Sequence, residues 1–356
     1  MPARRSNSPS RGPSARTRIF FGAALLALSA CLFEGLSYLL LEYAYGTLPA
    51  WQRLHRYDPL LGWANLRNLR VPNRFGPGKN ATHNARGLRA LADFPQAIPP
   101  GRYRITFLGD SFTYGTCGDD ETYPAQLESL CPAIQAVNMG VQGYGIDQCY
   151  LWFRQDGDSM DANMLAFIED DFDRMRSTVF LRNPKPLLQL SGSDIAVANL
   201  PVPRWGDPSR DGWLGRFPSR TATFQMLSAV YARQTAKRRD MFPIAARVFE
   251  QIHEMCNRKN QKFVLAYLPS EFRGADDLKP SRQGAAVLWV HRQAEKMGVP
   301  FVNLTSAFQR TAPQDRKDLF EARGGHYSKL GNRLVATTLL RELQALFRDM
   351  PRCLVR

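Results

Sequence analysis

The chain has 356 residues, 44% hydrophobic and 22% charged, and carries a formal net charge of +15. Those shares are ordinary for a globular protein and leave room for one large domain with appendages. The basic excess forms no stripe interleaved with aromatics, so nucleic acid is not an expected partner; an anionic membrane face or acidic polysaccharide suits it better.

Residues 1–18 hold Arg4, Arg5, Arg11, Arg16 and Arg18 without a single acid, in a Ser-, Pro- and Gly-rich setting. They read as a disordered cytoplasmic tail. From Ile19 to Tyr45 the chain is nearly all apolar, IFFGAALLALSACLFEGLSYLLLEYAY. About 20 such residues span a bilayer core as a helix. The basic flank comes first, so the bulk of the chain is expected outside the cytoplasm. Glu34 opposes this reading, because a mid-membrane carboxylate costs roughly 2.5–3.5 kcal/mol. Two alternatives stay open: residues 19–30 as the core of a cleaved signal peptide, or Leu28-Ser29-Ala30-Cys31 as a lipoprotein processing box lipidated at Cys31. The apolar run continuing past Cys31 weighs against both.

Residues 46–101 are rich in Pro, Gly and Arg and read as an irregular stalk or N-terminal extension. Beyond them, from residue 102 to 349, short apolar runs alternate with helical patterns. Strands are predicted over 103–108, 134–138, 164–168, 263–268 and 300–304. Helices are predicted over 124–130, 146–153, 284–297 and 330–347, with two further helical stretches between 222 and 257 broken near 240–243. Residues 180–220 look like a long excursion from the core, a lid or a small β element. Alternating strands and helices predict a parallel sheet covered on both faces, a three-layer α/β/α domain. Cysteines stand at 31, 117, 131, 149, 256 and 353. None forms a CxxC pair, and HExxH and Walker A motifs are absent, so no metal or nucleotide cofactor is expected. A disulfide among Cys117, Cys131 and Cys149 is open on spacing.

Gly109-Asp110-Ser111 closes the first strand of that domain. Ligands bind beyond the carboxyl ends of strands in open parallel sheets. A Ser opening a helix there has its hydroxyl near free backbone N–H groups, which suits a nucleophile whose attack creates negative charge. As an isolated tripeptide it would be plain turn chemistry. Followed by Asn138-Met139-Gly140 and a late Gly325-His326, however, it resembles the SGNH/GDSL hydrolase family. Asp58-Pro59-Leu60-Leu61-Gly62-Trp63, Asn84-Ala85-Arg86-Gly87-Leu88-Arg89, Glu121-Thr122-Tyr123-Pro124 and Gly140-Val141-Gln142-Gly143-Tyr144-Gly145 are similar to its membrane-anchored bacterial members.

The resemblance implies a flavodoxin-like fold of the SGNH type. It implies Ser111 as nucleophile beside Asp110, His326 as general base, and the Ser111 and Gly140 N–H groups lining an oxyanion hole. His253 and His291 fall in predicted helices and read as structural; His55 and His83 fall in the stalk and receive no role. Two positions depart from the pattern. Asp170 stands where the family has an Asn that donates to the oxyanion, and an ionised carboxylate cannot donate. Arg323 and Gly324 stand where the family has the acid that orients the histidine. Glu321 is the nearest carboxylate upstream and Asp318 lies further off, so either orients His326 or the pair works as a dyad. The expected activity is hydrolysis or transfer of an acyl ester, above all acetyl, on a cell-surface carbohydrate. The alternative is a non-catalytic surface protein that keeps the fold for binding.

Overall fold

The computed structural model describes residues 14–45, 53–155, 160–180, 183–204, 221–224, 226–227, 240–270, 282–321 and 325–353. The chain divides into two compact units. One comprises residues 1–48 and 206–231, the other residues 49–205 and 232–356.

In the first unit the apolar run forms one continuous helix, α1 (Ala15–Tyr45), long and apolar enough to cross a bilayer. Ile19, Phe20, Leu25, Leu26, Leu32 and Leu39 are exposed around it. A helix apolar on every side is the pattern expected of a membrane span. Glu34 does not stand bare: its carboxylate accepts the main-chain N–H groups of Ala222 and Thr223, the second at 3.0 Å.

In the second unit five strands form a parallel sheet: β1 (Tyr103–Gly109), β2 (Ile134–Gly140), β3 (Ala162–Phe167), β4 (Lys262–Tyr267) and β5 (Phe301–Asn303). Their spatial order is β2-β1-β3-β4-β5, all neighbours parallel. This is the flavodoxin-like order, with its switch point between β1 and β3. The helices follow as α2 (Ser111–Tyr114), α3 (Tyr123–Leu130), α4 (Ile146–Gln155), α5 (Asp170–Arg174), α6 (Phe242–Arg258), α7 (Arg282–Met297), α8 (Thr305–Arg310) and α9 (Lys329–Leu346).

Side-chain alternation explains the layers. Ile105, Phe107, Met164, Ala166, Val264 and Ala266 pack with Leu127 of α3, Phe308 of α8 and Val335, Leu339 and Leu343 of α9. Leu108, Leu165, Phe167, Phe263 and Leu265 turn the other way, onto Ile146 and Tyr150 of α4, Val248 and Ile252 of α6 and Val290 of α7. With both faces covered, each strand reads as a near-continuous apolar run. The expected three-layer α/β/α domain is the one observed, with element ends within a few residues of their predicted positions.

Two expectations change, and a third is met in the small β element of the excursion. The stalk over 46–101 is described from residue 53 onward and is part of the domain body. It forms the hairpins His55–Asp58 with Gly62–Asn65 and Leu69–Val71 with Ala81–His83. Its Leu61, Trp63 and Leu88 enter the main core. These strands are only three or four residues long, so no periodicity announces them. The excursion contains a hairpin, Leu187–Ser191 with Asp194–Ala198; residues 205–220 of it lie outside the described residues. The disulfide joins Cys131 to Cys353, with Cα atoms 5.5 Å apart, while Cys117 and Cys149 stay as buried thiols. The chain leaving α9 returns to the end of α3, a proximity that sequence spacing does not reveal.

Candidate active site

β1 ends at Gly109, and a Cβ there would sit 2.1 Å from Thr113 Oγ1 and 2.8 Å from the Ala166 carbonyl. Only glycine lets the chain turn this tightly from strand into α2. Asp110 caps the turn: its Oδ1 accepts the Phe112 N–H at 2.8 Å. The cap fixes the first helical residue, Ser111, at the carboxyl end of the strand beside the switch point.

His326 arrives from 215 residues further on. Its Nε2 lies 2.8 Å from Ser111 Oγ. Four residues hold the loop that carries it. Glu321 N–H donates to the His326 carbonyl at 2.7 Å. Tyr327, paired with Phe320 in a β-bridge, donates its hydroxyl to the Pro269 carbonyl at 2.8 Å. Ser328 caps α9. Asn332 Nδ2 donates to the carbonyls of Tyr327 and Ser328, and its Oδ1 accepts the Tyr123 N–H at 3.1 Å. The imidazole itself packs on the Phe112 ring, centroids 4.9 Å apart.

The remaining predicted residues divide. Asp110 is buried, with its Oδ2 3.4 Å from Ser111 Oγ. Glu321 reaches His326 through the main chain, while its carboxylate faces Lys79 at 3.7 Å. Arg323 and Gly324 lie outside the described residues. Gly140 lies beneath α2 rather than facing the hydroxyl: a Cβ on it would fall 2.1 Å from the Tyr114 N. Its N–H donates to Asn138 Oδ1 at 2.9 Å, and Asn138 Nδ2 donates to the Thr113 carbonyl at 2.8 Å. That amide is committed to bracing the nucleophile turn. Asp170 is exposed on the first turn of α5; the carboxylate turned inward is its neighbour Asp171.

Sequence reasoning missed the charge network behind Ser111. Arg174 Nη1 donates to Asp110 Oδ2 at 2.8 Å, Asp171 Oδ1 at 2.6 Å and the Tyr144 carbonyl at 2.8 Å. Asp171 Oδ2 accepts the Ile168 N–H at 3.1 Å. Burial, then the neighbouring Asp110, raises the Asp171 pKa well above the carboxylate range, against Arg174. Burial works against the Arg174 charge as well, but Asp171 and Asp110 outweigh it and raise its pKa. Behind this trio, Lys185 Nζ donates to Asp147 and, at 2.9 Å, to the Arg174 carbonyl; both side chains are fully buried. The one signal in the sequence was the i, i+3 spacing of Asp171 and Arg174.

His83 was also missed. Its ring nitrogens meet the Tyr114 hydroxyl at 2.8 Å and the Leu66 carbonyl at 2.9 Å, bracing the turn from below. Burial pushes its pKa down to about 4. Arg89 lies over the Tyr114 ring and donates to the carbonyls of Gly115 and Cys117, shaping the loop after the turn. The thiols nearby are poor nucleophiles: burial pushes Cys117 up to about 12 and holds Cys149 well above the ordinary thiol value. Among the described residues no group of three or more His, Cys, Asp or Glu side chains is placed to hold a metal ion.

No family model and no curated protein matches the chain. Solved structures similar to it include a member of the lipolytic protein G-D-S-L family from Veillonella parvula, 12% identical with a TM-score of 0.41, covering 70% of this chain and 100% of that one. A variant of an acetyl-xylooligosaccharide esterase from Geobacillus stearmophilus is 15% identical with a TM-score of 0.41, covering 71% and 97%. A lipase/acylhydrolase from Enterococcus faecalis is 14% identical with a TM-score of 0.37, covering 70% and 100%.

Proposed function

We propose that this chain is an SGNH/GDSL-type serine ester hydrolase or acyl transferase, tethered to a membrane by α1 and acting outside the cytoplasm on acyl esters of surface carbohydrate, above all acetyl. The observation that carries the reading is the 2.8 Å contact between His326 Nε2 and Ser111 Oγ at a strand end. A hydroxyl and an imidazole from opposite ends of the domain meet in the geometry of an activated nucleophile.

His326 Nε2 takes the hydroxyl proton as Ser111 Oγ attacks the ester carbonyl carbon. The C–O bond to the alcohol breaks, and His326 returns the proton to that oxygen. The acyl-serine is then released to water, or to a sugar hydroxyl, by the same steps in reverse. Packing on Phe112 orients the imidazole, and the main-chain bond from Glu321 holds its backbone. An oxyanion donor is the Ser111 N–H. The Gly140 amide donates to Asn138 Oδ1 and is committed there. Asp170, exposed and acidic, has no part in the hole.

The test is labelling of the full-length protein with a fluorophosphonate probe and turnover of a chromogenic acetyl ester, beside Ser111→Ala. Both signals should vanish in the variant. Silence of the parent protein in both assays would sink the enzyme and leave a binding module. Acylated product on an added oligosaccharide marks a transferase; its absence, with hydrolysis intact, marks an esterase.

A further inference from the structure

We propose that Arg174 is a positioning residue for Ser111, acting through the Asp110 carboxylate, with Asp171 as the competing charge that governs how far the turn holds when Arg174 is removed. This rests on reading Ser111 as the nucleophile.

Asp110 is the single residue between β1 and α2. One of its oxygens caps the turn through the Phe112 N–H at 2.8 Å, and the other faces Ser111 Oγ at 3.4 Å. Its rotamer therefore sets how the turn, and Ser111 with it, is placed. That rotamer is held by Arg174, whose Nη1 gathers three acceptors from three segments: Asp110 at the end of β1, the Tyr144 carbonyl beyond β2, and Asp171 on α5. A single nitrogen thus ties together the elements that meet at the switch point. The guanidinium also lies 5.0 Å over the Phe180 ring. Its main chain is pinned in turn, because the Arg174 carbonyl accepts from Lys185.

The charged and titratable groups facing this point are Asp110, Asp171 and Arg174, with exposed Asp170 on the same short helix, Asp147 and the Cys149 thiol on α4, Lys185 beyond α5, the Tyr123 and Tyr327 hydroxyls, and His326 across Ser111. Removing the guanidinium leaves Asp110 and Asp171 buried side by side without a cation between them. Asp110 then loses the donor that fixes its second oxygen, and the Asp171 carboxylate beside it pushes it off the Phe112 N–H, so the turn carrying Ser111 loosens. Replacing Asp171 by Asn removes the competitor.

The experiment measures the rate of fluorophosphonate labelling of the full-length protein in detergent from pH 5 to 9. Measured against the parent at the same pH, Arg174→Gln should label about tenfold slower or worse at pH 7, with a deficit that grows as pH rises. Adding Asp171→Asn to it should recover several-fold of the loss and flatten the profile. A merely structural arginine predicts the opposite, with the second substitution deepening the loss at every pH. That result, or an Arg174→Gln rate equal to the parent's, overturns the proposal. Should the parent not label, the nucleophile reading fails, and thermal unfolding decides the network by itself. Arg174→Gln then melts further below the parent at pH 8 than at pH 5, and Asp171→Asn narrows that gap. Equal deficits at both pH values refute the network. If Arg174→Gln does not fold, the double variant, which carries no uncompensated pair, should; failure of both overturns the proposal.

Discussion

His83 gives the sharpest test of how the turn under Ser111 is supported. Its pKa is pushed to about 4 by burial from an ordinary 6.5. In the unfolded chain the imidazole takes up a proton as pH falls through that ordinary value; in the folded protein it stays neutral until about pH 4. Between those limits the unfolded state binds more protons, so stability must fall as pH falls. From pH 7.5 to 4.5 the loss works out at about 2.5 kcal/mol, from a pKa gap of two to three units at 1.36 kcal/mol each. Loss of Nε2 as an acceptor for the Tyr114 hydroxyl is the structural event behind it. His83→Gln keeps a polar group against Tyr114 and cannot titrate. Urea unfolding of the two full-length proteins at both pH values, scored as the difference of differences, cancels every other titrating group. A stability loss in His83→Gln equal to the parent's would show that His83 titrates normally and is not a buried brace.

Ser111→Ala and His326→Ala should each lower turnover by about 10⁴–10⁶-fold, and the double variant should be no worse than either, as for residues acting as one unit; steady-state rates on an acetyl ester check both statements. Lys185→Met strands the Asp147 carboxylate and should cost about 3–5 kcal/mol at neutral pH, less in acid where Asp147 takes up a proton, whose pKa burial already raises; Lys185→Met with Asp147→Leu should recover most of it, by denaturant titration. Gly140→Ala places a Cβ against main-chain atoms of Thr113 and Tyr114 that cannot yield; it should destabilise by about 1–3 kcal/mol and slow labelling of Ser111 more than tenfold.

The sheet was legible in the sequence because burial on both faces writes each strand as an apolar run. Ile105 and Phe107 point one way and Leu108 the other, and all three are apolar. Ser111 and His326 were singled out because their motifs together resemble the SGNH/GDSL family; taken alone, each reads as ordinary turn or loop chemistry. The stalk was misread because a hairpin of three- and four-residue strands carries too few side chains to show a period. The Gly140 assignment failed for a different reason. A glycine after a strand signals close backbone approach, but not which backbone, and here it is α2. Asp171, Arg174, Lys185 and Asp147 come from separate elements, and only the packed fold shows that their charges meet.

The Cys131–Cys353 bond imposes an order on biogenesis. In a chain exported as proposed above, Cys131 reaches an oxidising compartment well before Cys353 follows; Cys117 emerges ahead of it, and Cys149 and Cys256 emerge in the interval. Each of those earlier thiols is a wrong partner within reach of an unfolded chain. Correct maturation then depends on hiding them in the core faster than oxidants find them, or on an isomerase that corrects the first pairing made.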